Sequence, residues 1–127
     1  MNINIYHNFN RGQEDIEYCD SLKISLAKLV NDLINTGHLP SEIDTCDLNI
    51  ISNENYAVHT IYISFTSLKP LEYWRSTKVQ LEQGLRLIFD LNALCPCSAS
   101  LHSNIIGYNH DTDSIDYQIT VSAIEHF

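Results

Sequence analysis

Lysine and arginine are scarce in this chain, seven among 127 residues against sixteen aspartates and glutamates, for a formal net charge of −9. A protein so short of cations is excluded as a non-specific binder of nucleic acid, which needs Lys and Arg to neutralise phosphates. Glycine (four) and proline (three) are equally sparse, which excludes collagen-like and low-complexity chains. No P-loop, dinucleotide fingerprint or G-x-S-x-G elbow occurs. No apolar run approaches the ~20 residues of a membrane-spanning helix. At the start Ile3 and Ile5 alternate with Asn2 and Asn4, where a secretory signal would show a basic segment and a continuous apolar one.

What is present is an ordinary core. Apolar residues make up 44 % of the sequence, and a domain of this length buries about two-thirds of the surface its unfolded chain exposes. Residues 1–127 therefore read as one domain that needs neither metal nor disulfide to fold. Cys19 and Cys46 fall on apolar faces and read as small hydrophobes. The thiols are expected to be reduced and the compartment cytoplasmic.

Periodicity gives two helices and five strands. A first strand is expected at Ile3–His7. Asn10 is expected to cap the helix that follows, with Gln13 three residues on as in a capping box. Its first turns are acidic (Glu14, Asp15, Glu17, Asp20) and lysines come later, the order the helix dipole favours. Leu22, Leu26, Leu29, Val30 and Leu33 form its apolar stripe, and Gly37 and Pro40 end it. Cys46, Leu48 and Ile50 alternate with Asp47 and Asn49, and a β-rich run from Ala57 to Phe65 follows a polar turn, which makes a hairpin. A second helix is expected with Ser67 as cap and Pro70 in its first turn. Leu71, Trp74, Leu81, Leu85 and Ile88 would form its stripe, widened by Leu87 and Leu91, with Lys78 inside it and a stop near Asn92. Two strands near Ala99–Tyr108 and Ile115–Ala123 finish the chain. The fold class is α+β: two helices packed on one face of a mostly antiparallel five-stranded sheet, in the order β-α-β-β-α-β-β. The first six elements follow the split βαβ order of ferredoxin-like folds.

Charge is unevenly spread. Residues 38–68 hold four acids (Glu42, Asp44, Asp47, Glu54) and residues 87–127 hold five (Asp90, Asp111, Asp113, Asp116, Glu125), with no Lys or Arg in either segment. Every Lys or Arg lies in or beside an expected helix. If the helices cover one face of the sheet, the other face should show Asp47, Asn49, Thr60, Tyr62, Ser64, Asn104, Asp116, Gln118, Thr120 and Ser122. A neutral face containing a tyrosine and rimmed by carboxylates fits a basic partner, because charge complementarity speeds association and selects among partners. The plainer account is that −9 keeps the domain soluble and monomeric.

Other chemistry has little support. Cys95-Pro-Cys97 with His102 nearby lacks the two-residue spacer and second ligand pair of zinc sites, and reads as two loop cysteines. His110-Asp111-Thr112-Asp113 has carboxylates that suit a hard cation but not the calcium-loop pattern, and reads as a solvated hairpin loop. His59 falls on the apolar side of its strand and reads as a satisfied core histidine. Trp74 belongs to a core stripe, while Tyr56, Tyr62 and Tyr108 are better placed as exposed anchors. No catalytic residues, metal or cofactor are expected.

In size, charge and element order the whole chain resembles the bacterial immunity proteins of contact-dependent growth inhibition systems. The resemblance is one of profile, since those families share no common motif. It implies a bacterial, cytoplasmic inhibitor that neutralises a basic toxin effector domain, in many cases a nuclease, without cofactor, membrane or direct nucleic-acid contact. The residues expected to meet the toxin are Asp111, Asp113 and Asp116 around the last hairpin and Asp47, Glu54 and Tyr62 on the preceding one. The alternative is an oligomeric scaffold or small-ligand-binding domain of ferredoxin-like type.

Overall fold

The computed structural model describes residues 2–92, 95, 97–109 and 114–127, with side chains for all of these except 102–109. Alternation of small polar and apolar residues produces β1 (Ile3–His7), β2 (Thr45–Ser52), β3 (Tyr56–Ser67) and β5 (Ser114–His126), and β4 spans Cys97–Asn109. Two helices, α1 (Gln13–Asn35) and α2 (Arg75–Ile88), complete the α+β fold in the expected order. The five strands form one sheet in the order β1-β2-β3-β5-β4. Only β1 and β2 run parallel, and every other pair is antiparallel.

Strand alternation sorts the two faces. Cys46, Leu48, Ile50, Ile61, Ile63, Phe65, Ile119 and Val121 point inward and are buried. They pack against Leu22, Leu26, Val30 and Leu33 of α1 and Trp74, Leu81 and Leu85 around α2. Burial, and to a lesser extent Asp47 beside it, pushes the Cys46 thiol up to about 12. The first helix lies against β1, the second against β4 and β5, and the two helices touch each other. Both therefore cover the same sheet face. At Gly84 of α2 the two helices approach closely: a Cβ there would stand 2.5 Å from Leu29 Cδ1 of α1. Buried Thr77 ties α2 to the loop after α1 by donating its hydroxyl to the His38 carbonyl.

The helix ends depart from expectation. Asn10 is not the cap of α1. Gly12 holds that position at φ +73°, a left-handed conformation that glycine adopts without a Cβ penalty. In place of a cap side chain, Asp15 reaches back to accept from the Arg11 backbone N–H at 2.5 Å and from Arg11 Nε at 2.8 Å. Burial works against the Asp15 charge, but these two hydrogen bonds and the guanidinium charge outweigh it and hold the carboxyl below its ordinary range. Nor does Ser67 cap α2. It ends β3 and its hydroxyl accepts from the Lys69 N–H, after which a 3-10 turn at Leu71–Trp74 leads into the helix. α2 stops at Ile88, and Leu87, which lies about 120° around the helix from Leu81, is off the buried stripe and 83 % exposed. Thr77, rather than Lys78, turns fully inward.

The split βαβ is also displaced from where element order puts it. No strand separates β1 from β2, so the first crossover is an ordinary parallel βαβ unit. The split unit is β3-α2-β4, with β5 inserted between its two strands. The sheet order is therefore not that of a ferredoxin-like fold.

Candidate functional site: an open acidic face and a cleft at the sheet end

The face away from the helices is polar over most of its length and ends, beside the β2–β3 turn, in an apolar row of Ile51, Val58 and Ile124. Asp47 sits directly opposite Tyr62, which sits opposite Thr120, which sits opposite Ser100. The next row carries Asn49, Thr60, Ser122 and Ser98. Hydroxyls and amides pair across strands: Asn4 Nδ2 donates to Asp47 Oδ1 at 3.0 Å, and Thr60 Oγ1 lies 3.0 Å from Ser122 Oγ. Toward one end, Thr66 donates to Asp116 at 2.7 Å and its hydroxyl stands 3.4 Å from an Asp44 oxygen. Two carboxylates thus share one small donor. None of the five strands contains Lys or Arg, so strand cations do not offset these acids.

Three of the six residues expected to meet a partner lie on this face: Asp47 and Tyr62 side by side at its centre, Asp116 toward its end. Asp116 is four residues along β5 from the partner of Tyr62, a run of about 13 Å at strand rise. Glu54 is not with them. It sits exposed in the β2–β3 turn, at the opposite end of the sheet from Asp116. Asp111 and Asp113, together with His110, lie outside the described residues. Asn104 pairs in register with Asp116.

The cysteine fragment has a structural explanation. Arg86 at the end of α2 donates to the carbonyls of Asn92 at 2.6 Å and Cys95 at 2.8 Å, holding both residues to the helix end. Cys95 and Cys97 are half-buried free thiols, and burial, followed by the nearby Glu82 charge, raises the Cys97 thiol above its ordinary range. Among the described residues no three His, Cys, Asp or Glu side chains gather to hold an ion.

A second feature lies on the helix side, where the sheet runs past the N-terminus of α1. Here a cleft of about 490 Å³ is lined by Arg11, Tyr18, Asn53, His59, Glu125 and Phe127 among others. His59 is 3 % exposed, its ring stacks on Phe89 at 3.9 Å, and its Nε2 lies 3.3 Å from Glu125 Oε2. The expectation of a satisfied core histidine holds only in part, because the buried Nδ1 has no hydrogen-bond partner among the described residues. Burial pushes the His59 pKa down, against the smaller upward pull of Glu125. A neutral ring beside a carboxylate carries its proton on Nε2, which leaves Nδ1 a bare acceptor. Burial and then the Glu125 charge raise the Tyr18 hydroxyl, while Arg11 pulls it down.

No protein-family model and no curated protein matches the chain. The site must therefore be read from its own chemistry. Sequence reasoning missed the cleft because its walls come from four separate stretches of chain. One signal was available: the inward alternation of β5, carried one step past Ala123, places Glu125 on the same side as His59. Two titratable residues in phase with an apolar strand face mark a place where the helices have ended and solvent begins. No helix among the described residues is long and apolar enough to cross a membrane.

Proposed function

We propose that this chain binds and neutralises a basic protein, a toxin effector domain of which a nuclease is the favoured kind, through the open face of its sheet. The observation that carries this reading is that face itself: five strands without one Lys or Arg, presenting Asp47 and Asp116 among neutral hydroxyls and amides, with Asp44 just before β2 beside Thr66. A nuclease domain is basic because it must hold a phosphate backbone, and an acidic face both attracts it and competes for its cations. Tyr62 at the centre supplies apolar area and a hydroxyl in one side chain, the combination favoured at binding hot spots. Asp111 and Asp113 join the set by sequence. The function needs no cofactor and no bond-making step, and its place is the bacterial cytoplasm. Glu54 lies too far from this set to share one small interface with it.

A scaffold dimer through the same face is disfavoured. It would bury carboxylates against a second copy whose strands offer no Lys or Arg to pair them. The test is capture of a tagged copy from a bacterium that encodes it, with stepped salt elution and mass spectrometry. The expected result is a stoichiometric basic protein that is released as salt rises and stops growth when produced without this chain. The D47N/D116N variant should then associate more slowly with it, and with a weaker dependence on salt. Recovery of the chain alone, as a symmetric dimer with this face protected, would replace the proposal with the scaffold reading.

A further inference from the structure

The cleft at the sheet end has a charge pattern unlike that of the open face. Arg11 and Glu125 carry the only Lys, Arg, Asp or Glu side chains among the described residues that line it, and they are not bonded to each other. Arg11 uses Nε on Asp15, and Glu125 uses Oε2 on His59. The two terminal amino groups of Arg11 and Glu125 Oε1 have no partner among the described residues. The guanidinium lies 4.7 Å from the Phe9 ring centroid and 5.8 Å from that of Tyr18, so stacking and the Asp15 bond together fix its plane. Glu125 is anchored in turn by a histidine that Phe89 holds in place. Phe9, Tyr18 and Phe127 give the cleft apolar walls.

We propose that this cleft binds a zwitterionic amino acid or short peptide with an aromatic side chain, its carboxylate on Arg11 and its ammonium on Glu125. A simple anion would meet the Glu125 carboxylate, and a simple cation would meet the guanidinium. A neutral apolar ligand would cover both charges and satisfy neither, which is costly. A ligand carrying both charges satisfies both groups, and the aromatic walls take its side chain. The volume of about 490 Å³ falls in the range of roughly 300–1,000 Å³ typical of ligand clefts. The inference stands apart from the open-face reading, since the cleft opens on the helix side of the sheet.

Titration calorimetry and amide chemical-shift mapping on the whole chain test it, with L-phenylalanine and glycyl-L-phenylalanine as probes. The first probe wins if the two charges are close enough for one α-carbon to bridge, the second if they are further apart. The expected result is saturable one-to-one binding of one of them, with shifts confined to residues 8–11, 18, 50–59 and 125–127. The N-acetyl and C-terminal amide derivatives of that probe should each bind at least about tenfold more weakly, as expected when a charge-assisted hydrogen bond is lost. E125Q should show the same loss for the parent probe while its melting temperature stays near that of the wild type. Equal binding of the N-acetyl derivative, shifts elsewhere in the molecule, or no binding by either probe into the millimolar range would overturn the proposal.

Discussion

His59 shows how far one side chain can be at odds with its surroundings. Its strand neighbours on the inward face are apolar, yet among the described residues it keeps a carboxylate contact on one nitrogen and nothing on the other. Burial lowers its pKa from the ordinary 6.5, so on acidification the unfolded chain takes up the proton before the folded one does. Stability from this residue is therefore whole above about pH 6.5 and is lost as pH falls below it. The melting temperature should decline between pH 7 and 5.5, and H59Q should show a shallower decline over that window. Cys46 makes a second residue-level case: a fully inward thiol pushed up to about 12 holds almost no thiolate at neutral pH. Under native conditions a thiol reagent should modify Cys46 last of the four cysteines, at a rate that follows unfolding. Both residues are legible in sequence as inward strand positions. What sequence does not show is that His59 sits at the rim of the covered area, where Glu125 reaches it, because that depends on how far each helix extends over the sheet.

Elements were legible in proportion to how local their causes are. Strand alternation is a property of neighbouring residues, and β1 spans the residues expected of it, Ile3–His7. Helix starts were not legible, because they rest on backbone geometry at Gly12 and on Asp15 bonding to Arg11, where a standard capping pattern pointed to Asn10. Sheet order was the least legible feature, since pairing β3 with β5 joins positions about sixty residues apart through contacts no local pattern encodes. The contact of α1 with α2 offers an element-scale test. Replacing Gly84 by alanine gains about 1 kcal/mol in helix propensity. The new methyl meets Leu29 at 2.5 Å, and overpacking of this kind costs roughly 1–3 kcal/mol. G84A should be net destabilising by about 1 kcal/mol in denaturant unfolding. The L29A/G84A pair should lose less than the sum of the single changes, because L29A removes the atoms that the new methyl at position 84 meets.

At the scale of the whole molecule, charge acts in two opposing ways. A net charge of −9 makes the folded chain repel itself, and salt screens that repulsion. Adding salt from about 0.01 M to 0.15 M, over which the screening length falls from ~30 Å to ~8 Å, should raise the melting temperature of the free chain. The same salt should weaken its complex with a basic partner, so one variable moves the two measurements in opposite directions. A complex whose affinity ignores salt would point to contacts away from the open face. The acidic character was readable from composition alone. That the strands lack any cation to offset their acids was readable only once Lys and Arg could be assigned to helices and their flanks.

The insertion of β5 between β3 and β4 bears on how the protein is made. During synthesis β4 emerges with no strand to pair with, because the strand that will flank it, Ser114–His126, comes later in the chain. Until then the nascent sheet can hold only β1, β2 and β3, and the inward faces of β3 and α2 stay partly bare. The complete sheet therefore forms only after β5 has emerged. A ribosome stalled anywhere before residue 114 would hold a chain with an open sheet and an exposed core, a natural target for chaperones and proteases.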